Sequence, residues 1–228
     1  MAQSVLIIAE SGSGKSTAIR NLDPKETVII NIANKPLPFK GWKNKYSVLD
    51  KENPKGNLIN VSSGSGVYRA MQHVSDKMPH VKNLIIDDWQ YMSSFEYFDK
   101  ANEKGYDKFT QIAANLAQVA KLPKDLRDDL YIFFLTHSED ITDMNGKRKI
   151  KAKTIGKMVD NSLTLEGLFS IVLFGKVLKH EDGQLEYVFA TRTDGETTCK
   201  TPMGMFENEY IPNDLKFVKE CILKYENE

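Results

Sequence analysis

Apolar residues in this chain come as short, dense runs rich in β-branched side chains, separated by longer stretches with helical spacing. Val5-Leu6-Ile7-Ile8 is the first run. Residues 27–32, 81–86 and 130–135 repeat the pattern, and each predicts a strand buried on both faces. Residues 58–61 predict a further short strand. Ala18-Ile19-Arg20-Asn21-Leu22 predicts the start of a helix, and 67–78, 93–102 and 106–122 predict three more. In the last of these, Phe109, Ile112, Ala113, Leu116, Val119 and Ala120 recur at helical spacing and stop before Pro123. Residues 169–178 and 185–191 flank Glu181-Asp182-Gly183, whose Asp-Gly step predicts a hairpin. Residues 214–225 predict a C-terminal amphipathic helix.

The remaining stretches are loops. Pro36 and Pro38 forbid a regular element over 34–42. That segment is expected to plug the edge of the core, with stacking on a base as the alternative. Residues 43–57 predict surface loop. Ser62-Ser63-Gly64-Ser65-Gly66 predicts a turn and N-cap rather than a phosphate cradle, because no Lys-Ser follows it. Residues 139–161 are polar and lysine-rich and are expected to be mobile.

Strands alternating with helices, then a late hairpin, predict an α/β fold: a mostly parallel sheet covered by helices on both faces, with antiparallel strands extending it. No repeat or linker divides the sequence, so residues 1–228 are expected to form one domain. Apolar residues make up 41% and charged residues 27% of the 228 positions. Lys plus Arg and Asp plus Glu both number 31, so no global field favours nucleic acid or membrane. No apolar run approaches the roughly 20 residues of a membrane-spanning helix. The first strand starts at the N-terminus with no signal or transit peptide expected. Cys199 and Cys221 lack metal-type spacing, and a cytoplasmic setting is expected.

The chemistry begins at Ala9-Glu10-Ser11-Gly12-Ser13-Gly14-Lys15-Ser16-Thr17. Strand, glycine-rich loop, Lys-Ser and helix together form the context of a phosphate-binding P-loop. Gly12, Ser13, Gly14, Lys15, Ser16 and Thr17 would cradle anionic phosphate through their N–H groups, with Lys15 on the β- and γ-phosphates and the Ser16 hydroxyl on Mg²⁺. Ala9 stands where the pattern usually has glycine, and is tolerated if its φ is negative. Asp87, at the end of an apolar strand, would support Mg²⁺ together with Ser16. Asp88 is the candidate to polarise an attacking water. Glu10 is expected to point outward. Thr136-His137 ends the next apolar strand, and His137 would sense the γ-phosphate. Lys15, Asp87 and His137 all fall at strand C-terminal ends, where ligands of parallel sheets bind.

Lys147, Arg148, Lys149, Lys151 and Lys153, then Lys157, follow this sensor. Such a run would track single-stranded DNA through phosphate contacts. Arg192 and Lys200 are possible trans-acting cations for the triphosphate of a neighbouring subunit.

The order of P-loop, strand-Asp-Asp, strand-Thr-His, basic loop and hairpin resembles the RecA-like branch of P-loop ATPases. More closely it is similar to compact phage-encoded AAA-type ATPases, including the Sak-type single-strand annealing and recombination ATPases. The likeness runs through Ser11 to Thr17, the Lys35-Pro36-Leu37-Pro38-Phe39 loop, Leu84 to Trp89, Thr136-His137 and Thr191 to Thr201. It implies a RecA-like core, ATP and Mg²⁺, single-stranded DNA as partner, homo-oligomeric rings or filaments, and the cytoplasm of the phage's host. The likeness does not extend to an N-terminal oligomerisation domain. It also lacks the glutamate that RecA proteins carry at the end of the strand 27–32. Two other functions share the core: a nucleotide-dependent interaction module without hydrolysis, and a small-molecule nucleotide kinase, which the scattered arginines disfavour. No guanine-reading Asn-Lys-x-Asp is present, which leans towards ATP over GTP.

Overall fold

The computed structural model describes residues 1–142, 146–154 and 164–227. Among these residues, nine strands form one sheet. They are β1 (Gln3–Ala9), β2 (Thr27–Asn31), β3 (Leu58–Ile59), β4 (Asn83–Asp87), β5 (Tyr131–Thr142), β6 (Arg148–Ala152), β7 (Ile171–Lys179), β8 (Leu185–Ala190) and β9 (Tyr210–Pro212). Their order is β3-β2-β4-β5-β1-β7-β8-β9, with β6 paired to β5 alone. The strands from β3 through β7 run parallel, and β8 and β9 extend the sheet antiparallel. The expected α/β sheet with a terminal hairpin is therefore present.

The apolar runs become central strands because both faces need covering. In β1, Leu6 and Ile8 face one core while Val5 and Ile7 face the other. β5 divides the same way, with Ile132 and Phe134 on one side and Phe133 and Leu135 on the other. Helices α1 (Gly64–Lys77), α2 (Gln90–Asp99) and α3 (Asp107–Lys121) lie on the first face. Val67, Met71 and Val74 of α1 are one stripe at helical spacing, buried in that core. Helix α4 (Leu215–Asn227) covers the second face through Leu215, Val218 and Ile222. No helix among the described residues is long and apolar enough to cross a membrane.

Two local expectations need correction. The segment after the P-loop is not an α-helix but a six-residue 3₁₀ turn, Ser16–Asn21. Asp23-Pro24 stops it, since the residue before proline avoids helical geometry. Residues 139–142 and 148–152 are not loop: they form an antiparallel ribbon in which Asp140 faces Ile150 and Thr142 faces Arg148. Asp143 and Lys157 lie outside the described residues. The turn-and-cap reading of 62–66 holds, because the Ser63 hydroxyl accepts from the Gly66 N–H at 3.3 Å. The Gly64 N–H donates to the buried Glu96 carboxylate at 2.6 Å, so this helix end already has its anion.

The alanine at the head of the P-loop has a structural counterpart. Ala9 pairs with Gly175 of β7, and a Cβ added at Gly175 would stand 2.7 Å from the Ala9 Cβ. The methyl group thus sits on one strand of this pair and not on both. Gly175→Ala is predicted to destabilise the fold by about 1–3 kcal/mol through overpacking. Adding Ala9→Gly should restore most of that loss in urea unfolding. Strictly additive effects of the two substitutions would show that the pair does not share this space.

Candidate functional site

Parallel pairing brings the ends of β1 and β4 level with His137, midway along β5. Ala9 at the end of β1 lies opposite His137 of β5, and Ile86 of β4 lies opposite Phe134 two residues before Thr136. β5 stands between β1 and β4. The glycine-rich loop, Asp87-Asp88 and His137 thereby converge; His137 is not at a strand terminus as expected, because β5 runs on to Thr142 by pairing with β6.

Gly12 and Gly14 take φ values of 83° and 86°, the left-handed region that side chains with a Cβ avoid. The loop closes on itself through the Ser13 hydroxyl, which donates to the Glu10 carbonyl at 2.6 Å. Glu10 itself is exposed. Lys15 is buried, and its Nζ donates to the Ala9 and Glu10 carbonyls at 3.0 and 2.9 Å. Burial pulls its pKa down to about 8, against the opposing pull of Asp88 and Asp87. Ser16 reaches across to β4, its hydroxyl donating to Asp87 Oδ1 at 2.7 Å.

Asp87 and Asp88 are 0% and 1% exposed. Burial, and then the neighbouring Asp88 charge, pushes the Asp87 pKa up to about 6. Asp87 Oδ2 is buried with no hydrogen-bond partner among the described residues. An orphan carboxylate oxygen beside a serine hydroxyl suits a hard cation that takes oxygen ligands. Among the described residues no group of three or more His, Cys, Asp or Glu could hold a metal. An ion at Ser16 and Asp87 would therefore draw further ligands from phosphate and water.

Asp88 takes a φ of 59°, strained for a residue with a side chain, though least so for Asp and Asn. The next residue, Trp89, is fully buried against Phe134 and Phe169, which anchors the turn. Burial alone would raise the Asp88 pKa; His137 and Lys35 outweigh it and hold the carboxyl below its ordinary value. His137 Nε2 stands 3.5 Å from Asp88 Oδ1, and the Lys35 ammonium pairs with Oδ2. Thr136 does not face the cleft: its hydroxyl donates to Gln90 Oε1 at 3.2 Å, and the same oxygen takes the His137 N–H at 3.1 Å.

These groups line a cleft of about 670 Å³. Around Gly12, Gly14, Lys15, Ser16 and Thr17 its walls are of two kinds. One wall holds Lys35, Pro36, Pro38, Asp88, Tyr91 and His137; the other holds Arg20, Tyr187 and Asn213. The proline segment divides its roles, since Leu37 is buried as the core plug while Pro36 and Pro38 face the cleft. Lys35, Tyr187 and Asn213 carry no local motif, and only the fold brings them here. Asn213 bonds the P-loop directly, its Nδ2 donating to the Ser13 carbonyl at 3.3 Å.

The basic run lies on the β5–β6 ribbon. Arg148 pairs with Asp140 at 2.8 Å and with Glu196 at 3.4 Å, and Lys151 pairs with Glu139 at 3.0 Å. Arg148 and Lys151 thus already meet carboxylates of their own chain. Lys147, Lys149 and Lys153 are exposed, and the Lys153 N–H donates to the His137 carbonyl at 2.8 Å. Arg192 and Lys200 do not line the cleft. Arg192 Nη2 donates to the Phe206 and Glu207 carbonyls, and Lys200 pairs its backbone with Val172.

No protein-family model matches this chain, and a search of curated proteins finds no match.

Asp87 yields a test of what the site costs the fold. Its folded pKa lies above the ordinary carboxylate value, so its charge opposes folding above pH about 6 and not below pH about 4. Asp87→Asn is predicted to raise unfolding free energy at pH 8 by about 1–3 kcal/mol. The gain should fade as the pH falls to 4. A loss of stability at pH 8 would mean that the carboxylate is held for the fold and not for a ligand.

Proposed function

We propose that the chain is an ATP-binding and ATP-hydrolysing protein with a RecA-like P-loop core, acting on single-stranded DNA in phage recombination or replication. The observation that carries the nucleotide reading is the 2.7 Å bond to the buried Asp87 from Ser16, which lines the cleft together with Lys15. Left-handed glycines, a buried lysine and a serine–aspartate pair at and beyond the ends of two parallel strands suit a triphosphate with Mg²⁺. The placement of β5 between β1 and β4 supports the RecA-like assignment, as does the resemblance in motif order. DNA as partner rests on that resemblance and on the basic ribbon that continues β5 from His137.

Within this reading, the terminal phosphate lies towards Asp88 and His137, and the nucleoside lies towards Tyr187 and Asn213. Tyr187 is 45% exposed, enough to offer its ring face to a base. Ser16 and Asp87 would hold Mg²⁺, which supplies charge neutralisation on the phosphates when bound. Lys15 adds positive charge to the β- and γ-phosphates. Asp88, kept ionised, accepts a proton from the attacking water. The water oxygen forms a bond to the terminal phosphorus as the bond to the ADP oxygen breaks, and ADP leaves with the electron pair. His137 orients the water or the phosphate from the far side of Asp88.

A second reading, nucleotide binding without turnover, draws on the Lys35–Asp88 pair, which occupies the candidate base. Steady-state ATP hydrolysis separates the two. The hydrolase reading predicts turnover that rises with single-stranded DNA and falls at least about 100-fold in Lys15→Ala. Lys149→Ala with Lys151→Ala should weaken DNA binding and flatten its salt dependence, and Tyr187→Ala should raise KM for ATP about tenfold with little change in kcat. Bound ATP without turnover would favour the second reading. Turnover indifferent to DNA would remove DNA as the partner.

A further inference from the structure

The wall of the cleft nearest Asp88 carries a cation that no sequence motif marks. We propose that Lys35 is a second phosphate-binding cation, which reads the terminal phosphate by exchanging its partner Asp88 for it. The proposal rests on the nucleotide reading above and assigns the residue that distinguishes a triphosphate from a diphosphate.

The loop after β2 is built to place this ammonium. Asn31, at the end of β2 and opposite Asp87, clamps the Lys35 backbone from both sides: its Nδ2 donates to the Lys35 carbonyl at 2.9 Å and its Oδ1 accepts the Lys35 N–H at 3.4 Å. Asn34 adopts a φ of 49°, and Pro36 follows directly, so the backbone is restricted on either side of Lys35. The strand end thus carries a neutral amide that holds a lysine in place.

The pair itself is asymmetric. The Asp88 side chain is 1% exposed, whereas that of Lys35 is 44% exposed. Asp88 is fixed within the protein, while Lys35 reaches it from the solvent side and can turn away. Asp88 keeps His137 as a neighbour after the exchange.

The other cations near the cleft are committed elsewhere. Arg20 Nη1 donates to the Thr17 and Asn213 carbonyls on the opposite wall. Lys15 lies under the P-loop, bonded to its carbonyls. Among the described residues that line the cleft, Lys35 is the cation paired with Asp88, at the end where this reading puts the terminal phosphate. The exchange has a consequence for chemistry. Asp88 loses its cation only when a terminal phosphate is present, so the candidate base becomes available only with a substrate to act on. The contact therefore holds the site in check until a triphosphate arrives.

The test is calorimetric binding of Mg²⁺-ADP and of a non-hydrolysable Mg²⁺-ATP analogue to the full chain. Lys35→Ala is predicted to weaken the triphosphate about tenfold and ADP less than about twofold, whereas Lys15→Ala weakens both. Asp88→Asn keeps the shape of the site and frees Lys35. It is predicted to tighten the triphosphate several-fold more than ADP, and Lys35→Ala in that background should remove the difference. An unchanged ratio of the two affinities in Lys35→Ala, with wild type binding normally, would overturn the proposal alone and leave a structural ion pair. Failure of wild type to bind either nucleotide would overturn the nucleotide reading, and this proposal with it.

Discussion

Two adjacent carboxylates, Asp87 and Asp88, are buried side by side at the end of a central strand. Removing a charge from water is expensive, and a like charge next to it adds to the cost. The surrounding structure meets this cost unevenly. Asp88 has Lys35 and His137, and its carboxyl is held below its ordinary pKa. Asp87 has one serine hydroxyl, one unpartnered oxygen and a pKa pushed up to about 6. Lys15, buried by the same packing, is pushed the other way, to about 8. A cluster that shifts two opposite charges towards neutrality is poorly solvated as it stands and well matched to a polyanion that brings a divalent cation.

The fold keeps this cluster in place through backbone constraints. Parallel pairing brings the ends of β1 and β4 to a common edge beside His137, where β5 runs on into the ribbon. Beyond that edge the chain departs in tight turns, at left-handed Gly12, Gly14 and Asp88. Trp89 anchors one turn into the core, and Gly175 leaves room for the methyl of Ala9 beside the other. Gln90 bonds both Thr136 and the His137 backbone, so the start of α2 and the end of β5 are fixed to each other.

The central strands were legible because a strand buried on both faces must be apolar throughout, and nothing else in the sequence is so dense. The hairpin from β7 to β8 was legible from Asp182-Gly183, where Gly183 takes a φ of 81°. The β5–β6 ribbon was not. Its apolar residues are only Ile141, Ile150 and Ala152, the last two packed into the core, so its cations resemble a solvated loop. The short 3₁₀ turn after the P-loop was hidden because helical spacing over five residues does not reveal how Pro24 will end it. At the site, Lys15, Ser16 and Asp87 were legible as a motif. Lys35, Tyr187 and Asn213 were not, because their meaning arises only when segments up to about 200 residues apart meet. His137 could be placed by the end of its apolar run, although β5 continues past it, and Thr136, one residue earlier, points into a hydrogen bond with Gln90 instead.

The central claim is that this charge cluster is completed by a nucleoside triphosphate with a divalent cation. The most direct measurement is the thermal midpoint of the wild-type chain alone, with ATP and EDTA, and with ATP and Mg²⁺. At a nucleotide concentration about 100 times Kd, linkage gives about 2.7 kcal/mol, or a rise of roughly 5–10 °C for a chain of this size. The account predicts that rise with Mg²⁺-ATP and a clearly smaller one with EDTA. No shift at millimolar Mg²⁺-ATP would contradict it.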